Sequence, residues 1–238
     1  MLERDFGYRP PISDELRILY EAHLDQTYRW KGGNWRKDIV ETDWQHVYSM
    51  FEVLQDLNKT CPTLSSDVDI QTVQHMIYVH DQGEISVGDL THNRHDYAAQ
   101  YGEWKRKEYI AGKWQLRKIK DRDIRLKATE LYDRCFNIRD YDKEALLTDF
   151  IDKIQGSRFG FRNVFHHGKG VRKANREMQF NHTVELLAKP VKPLLKLVSP
   201  STQEGLKNFL REELERFSQY GYIREAAPYV KNLSLILR

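Results

Sequence analysis

His80 and Asp81 stand side by side behind an apolar run and open the segment His80-Asp81-Gln82-Gly83-Glu84-Ile85-Ser86-Val87-Gly88-Asp89. An imidazole nitrogen next to a carboxylate oxygen suits a borderline divalent cation, and Glu84 follows one helical turn further on. Two donors leave a cation under-coordinated, so other segments must bring more. His46 and Asp152 are the best candidates, with Asp149 a rival for the last position because it lies three residues earlier on the same helical face.

Helices must carry these groups. Met50, Val53, Leu54 and Leu57 follow His46 at three- and four-residue steps, which places His46 on the inward face at the start of an amphipathic helix. A second helix is expected over about residues 69–81, with Val73, Ile77, His80 and Glu84 on one face. Pro62 and Ser65-Ser66-Asp67 separate the two, and either Asp67 or Asp69 can cap the second. Residues 97–136 lack proline and are rich in helix formers, enough for one or two helices. Residues 142–160 form another, with Leu146, Leu147, Phe150, Ile151 and Ile154 apolar and Asp149, Asp152 and Gly156 on an adjacent stripe. The stretch around His166-His167-Gly168 reads as a loop. After Pro190 and Pro193, Ser201 and Glu204 have capping-box spacing. Leu206, Phe209, Leu210, Leu214 and Phe217 then make a stripe that packs on the main core or on a second subunit. Strand-like alternation is scarce, so the expected fold is all-α.

Composition narrows the function class. The chain has 238 residues, 40% hydrophobic and 31% charged, with a net charge of only +3. Such a mixture belongs to a globular protein and gives no bulk electrostatic case for a nucleic-acid partner. The clusters Lys105-Arg106-Lys107 and residues 118–125 read as solvated helix faces. Cys61 and Cys135 lack metal-ligand spacing and are expected as free thiols in a reducing compartment. No apolar leader or membrane span is visible, so the expected address is the cytoplasm. His75, His92, His95, His166 and His167 are surplus to a one-metal site.

The order His46, then His80-Asp81, then Asp152, on three helices, resembles the HD-domain metal-dependent phosphohydrolase superfamily, whose signature is a His, a His-Asp pair and a distant Asp. The chain is most similar to its 5′-deoxynucleotidase-like branch, in which the pair is followed by Glu and then Gly-Asp, as in Glu84 and Gly88-Asp89, and preceded by Arg-Trp, as in Arg29-Trp30. Ile151-Asp152-Lys153-Ile154 resembles the family's Asp-Lys-apolar ending and favours Asp152 over Asp149. The likeness covers roughly residues 15 to 160. It departs from the pattern in residues 35–42, just before His46 and in the carboxyl-terminal tail, which bears on substrate identity more than on metal binding.

The resemblance implies an HD-domain helical bundle over residues 1–190, with a helical extension over 191–238 that packs on it or on a partner subunit. It implies one divalent cation, among Mn, Co, Fe, Ni, Zn or Mg, held by His46, His80, Asp81 and Asp152. Glu84 would exchange a proton during hydrolysis and Asp89 would fix the substrate or the attacking water. Arg29 would fork onto a phosphate and Trp30 would wall the sugar. The implied substrate is a nucleoside 5′-monophosphate, most often a deoxy one. Nucleoside triphosphates or other phosphoesters are the alternative, as is a catalytically silent nucleotide-binding regulator. A homodimer is compatible with the carboxyl-terminal stripe.

Overall fold

A capping box starts the first long helix and so decides where His46 points. The Thr42 hydroxyl accepts the Gln45 amide at 3.1 Å, and the Gln45 side chain accepts the Thr42 amide at 2.9 Å. Helix α1 (Asp43–Thr60) therefore begins at a fixed residue and buries His46, Val47, Met50, Val53, Leu54 and Leu57. The computed structural model describes residues 28–29, 41–88, 97–159 and 187–218. Ahead of α1, strand β2 (Glu41–Thr42) pairs antiparallel with β1 (Tyr28–Arg29), Tyr28 opposite Thr42 and Arg29 opposite Glu41. That two-residue ladder apart, the regular structure among the described residues is helical, and the fold is all-α.

After the short α2 (Leu64–Asp67), α3 (Ile70–Val79) is capped by Asp69, whose carboxylate accepts the Thr72 amide at 3.2 Å. Asp67 has other work: it accepts the Ser199 amide and hydroxyl at 3.0 and 2.6 Å. Helix α3 ends earlier than its periodicity indicates. His80 caps it, Asp81 to Gly83 form a turn, and Glu84 opens a separate helix, α4 (Glu84–Val87), instead of extending the same face. Gly83 in this turn packs closely on α5 (Tyr97–Leu116), where an added Cβ would clash with the Glu108 carbonyl. Gly88 then closes α4 at φ 75°, a conformation open to glycine without strain.

Helices α6 (Arg122–Phe136) and α7 (Lys143–Phe159) complete the frame around α3, and α7 also packs along α1. Met50, Leu54, Met76, Ile77, Leu131, Phe150 and Ile151 meet there in one core. The carboxyl-terminal segments join it. Residues 187–197 are helical through both prolines and across the expected 190/191 boundary, because Leu187, Val191, Leu194 and Val198 recur at helical spacing and are buried. Helix α8 (Pro200–Ser218) starts with proline at its first position, after Ser199, so Ser201 and Glu204 lie inside it and do not form the expected capping box. Glu204 pairs with Arg211 at 2.9 Å instead. Leu206, Phe209 and Leu210 enter the core, Phe209 edge-on to Phe150 at 6.2 Å, and Leu214 is half-buried against it. The Phe217 side chain lies outside the described residues. Arg158 on α7 forks onto Glu213 of α8 at 2.6 and 2.8 Å and reaches Asp56 of α1 at 3.0 Å.

The basic clusters have local partners. Lys105 pairs with Glu108 and Lys107 with Glu103, both at 2.7 Å, and Lys118 lies 4.1 Å over the Trp114 ring. No helix among the described residues is long and apolar enough to cross a membrane.

Two changes test this frame. Gly83→Ala should cost about 1 to 3 kcal/mol in denaturant melts, because the methyl group must displace backbone at Glu108. Asp142 caps α7 through the Ala145 amide at 3.1 Å and takes a two-pronged bond from Arg134 at 2.8 Å. Burial opposes its ionisation, but the Arg134 guanidinium outweighs burial and holds its carboxyl below the usual carboxylate range. With the folded pKa depressed, this stabilisation is full above the ordinary carboxylate pKa and is lost as pH falls through the lowered one. Asp142→Asn should therefore destabilise by about 1 to 3 kcal/mol at neutral pH, and the gap to the parent should close in acid.

Candidate metal centre

His46 Nε2 is the hub of the site. It lies 3.3 Å from His80 Nε2, 3.4 Å from Asp81 Oδ2 and 3.2 Å from Asp152 Oδ1, and His80 Nε2 lies 3.0 Å from Asp81 Oδ2. The amino-terminal turn of α1 delivers His46, the turn closing α3 delivers His80 and Asp81, and the middle of α7 delivers Asp152. Had α3 run on, His80 and Asp81 would point about 100° apart around its axis. The chain leaves the regular helix after Val79, and His80 Nε2 and Asp81 Oδ2 lie 3.0 Å apart.

The hydrogen bonds at the opposite edges of the rings say what that point needs. His80 Nδ1 donates to the Ile77 carbonyl at 2.8 Å, and His46 Nδ1 donates to Gln155 Oε1 at 2.5 Å. With Nδ1 carrying the hydrogen, each neutral ring turns an Nε2 lone pair inward. In these neutral tautomers two imidazole lone pairs face an Asp81 oxygen, and Asp152 Oδ1 stands beside His46. A cation with ligands at about 2.1 Å sets neighbouring ligand atoms about 3.0 Å apart in an octahedron and about 3.4 Å in a tetrahedron. The spacings of 3.0 to 3.4 Å fall in that interval. The donor set therefore fits a divalent metal ion, and His46, His80 and Asp81 are the group among the described residues able to hold one.

Asp152 joins from the His46 side, and its other oxygen is occupied by Lys153 Nζ at 2.5 Å. Lys153 also bonds Asp149 at 3.3 Å. Burial works against its ammonium, but Asp152 and Asp149 outweigh burial and hold the lysine pKa above its ordinary value. The structure thus brings Asp152 to His46, outside the closer group of His46, His80 and Asp81, and leaves Asp149 as a partner of the lysine. On the other side, Glu84 is buried at the start of α4, its amide bonded to the Asp81 carbonyl at 2.9 Å. Behind it Glu108 is also buried, paired to Lys105, and its carbonyl accepts the Tyr132 hydroxyl at 3.0 Å. Burial, with Glu108, Asp81 and Glu84 adding to it, pushes the Tyr132 phenol far up, so Tyr132 stays protonated and serves as a wall.

Asp89 and Trp30 lie outside the described residues, and of Arg29 only the backbone is described, in the ladder opposite Glu41. Sequence reasoning passed over Gln155 and took Lys153 only as part of the Asp-Lys-apolar run, without a role at the site. Gln155 sits three residues after Asp152 on the same face, and that spacing was a usable signal. Glu41, which accepts the Gln155 amide at 2.6 Å, gave none, since its distance along the chain from Gln155 hides the contact. No family model, no curated protein and no solved structure matches this chain.

Metal analysis of purified variants tests the ligand set. Asp81→Ala and Asp152→Asn should each lower bound divalent metal strongly, whereas Asp149→Asn should keep most of it. Full metal retention in Asp81→Ala would show that the cluster is not the binding site, and the reverse order for Asp149 and Asp152 would exchange only the fourth ligand.

Proposed function

We propose that this protein is a metal-dependent phosphohydrolase that removes phosphate from nucleoside 5′-monophosphates, the deoxy forms preferred. The observation that supports the reading most is the grouping of His46 Nε2, His80 Nε2 and an Asp81 oxygen, with an Asp152 oxygen beside His46, in the chain order His, His-Asp, Asp. A divalent cation held there would supply acidification of a water and neutralisation of charge on a phosphate ester.

The chain's own residues would do the rest. His46, His80, Asp81 and Asp152 would hold the ion, and Lys153 restrains the second oxygen of Asp152 so that one oxygen is presented. Glu84, buried one turn of chain after Asp81, is suited to move a proton between the attacking water and the leaving oxygen. Arg29 offers two parallel donors to a phosphate, and its ladder partner Glu41 sits next to the start of α1. Trp30 and Asp89, adjacent in sequence to these elements, are the proposed sugar wall and the proposed anchor for substrate or water.

A panel of ribo- and deoxyribonucleoside mono- and triphosphates, assayed with several divalent metals after chelation, tests the reading. Phosphate release from monophosphates, abolished by the chelator and restored by metal, is the expected result. Release from triphosphates only would move the substrate class, and no release with any metal on a metal-binding protein would favour a regulatory nucleotide-binding role. Within an active enzyme, Glu84→Ala should keep its metal and lose about a hundredfold in turnover at saturating substrate, the scale of a missing general acid or base. Unchanged turnover would remove Glu84 from that role.

A further inference from the structure

Behind His46 the buried chain of groups continues for two residues. His46 Nδ1 donates to Gln155 Oε1 at 2.5 Å, and Gln155 Nε2 donates to Glu41 Oε1 at 2.6 Å. His46, Gln155 and Glu41 are exposed by 0, 2 and 3%, so water does not compete for these bonds. A terminal amide has nearly the same shape with its oxygen and nitrogen exchanged, and alone it would not specify which one meets the histidine. With nitrogen toward His46, a donor would face a donor, and the ring would have to turn or shift its hydrogen to Nε2, the nitrogen that faces the site. A carboxylate oxygen only accepts. Glu41 therefore draws Gln155 Nε2 to itself and leaves Oε1 for the imidazole. Glu41 in turn is fixed by backbone, because it belongs to β2, opposite Arg29 and next to the Thr42 cap of α1.

We infer that Glu41 and Gln155 are positioning residues for the metal: a carboxylate and an amide in series that fix the tautomer and the angle of His46. The inference rests on the reading of His46 as a ligand. It also gives the two-residue ladder a purpose, since the strand pair that carries Arg29 is the far anchor of the same series. The amide accepting from Nδ1–H strengthens Nε2 as a donor, and losing such a partner commonly weakens metal binding about ten- to a hundredfold.

Titration of the metal-free full-length protein with Co(II) or Zn(II) against a competing chelator, alongside melting of the metal-free form, tests this. Gln155→Leu should bind about ten- to a hundredfold more weakly than the parent. Gln155→Glu sets two carboxylates against each other and should also bind weakly. Adding Glu41→Gln to it exchanges the two roles, the new amide donating and the new carboxylate accepting from His46, and should restore affinity to within a few-fold of the parent. A merely structural role would not give recovery of metal affinity by that exchange. Parent-like affinity in folded Gln155→Leu, or an exchanged pair as weak as Gln155→Glu alone, overturns the inference. If Gln155→Leu does not fold, the comparison of Gln155→Glu with the exchanged pair decides by itself. A parent protein that takes up no divalent metal sinks the metal reading, and this inference with it. A parent that binds while Gln155→Leu binds equally sinks only the inference.

Discussion

Electron-rich atoms repel one another at 3.0 to 3.4 Å, and in a buried site with little water to screen them the repulsion is worth several kcal/mol. His46 Nε2 has His80 Nε2, an Asp81 oxygen and an Asp152 oxygen at 3.2 to 3.4 Å. The arrangement persists in the fold because each group is committed elsewhere: Nδ1 of each ring to an oxygen, one oxygen of Asp152 to Lys153, and Asp81 to a turn locked against α5 by Gly83. A positive ion at the centre would turn the same proximity from a cost into the main source of binding. Metal binding and local stability are then two sides of one equilibrium.

The helical frame follows from that demand. Three segments must reach one point at defined angles, and each is fixed at its nearest end by a local device: the Thr42–Gln45 box for His46, the break at Val79 for His80 and Asp81, and the Asp142 cap for the helix that carries Asp152. Polar anchors tie the frame at its periphery, with Arg134 on Asp142 and Glu144 and Arg158 on Asp56 and Glu213. These carry planar forks, so they fix direction as well as distance. Carboxyl-terminal helix α8 is part of this frame, covering α7 through Phe209 and α1 through contacts along its length.

The proposed chemistry divides the site into a cation-holding centre and a rim. The centre is built from largely buried positions, while the proposed phosphate and sugar contacts are neighbours in sequence of the ladder before α1 and of α4. A centre so composed is compatible with several phosphoesters, and the rim residues Arg29, Trp30 and Asp89 would choose among them.

How much of this was legible depends on the range of the interaction. Amphipathic spacing, the apolar stripes of α1, α7 and α8, and the pair His80-Asp81 are local patterns, and the sequence alone determined that the chain is all-α and that His46, His80, Asp81 and Asp152 were the groups to watch. A periodicity cannot tell where a helix stops: Val73, Ile77, His80 and Glu84 keep helical spacing, yet α3 ends at Val79 and Gly83 packs against Glu108 on α5. Nor could spacing separate Asp152 from Asp149, three residues apart on one face, because the choice lies in which oxygen lands beside His46. Residues 187–197 show the opposite case, where prolines discouraged a helix that burial of Leu187, Val191 and Leu194 sustains. Glu41, Gln155 and the role of Lys153 became visible only once α1, α7 and the ladder were packed. A hydrogen bond across more than a hundred residues leaves no mark on the chain's pattern, and only tertiary packing brings its two ends within reach.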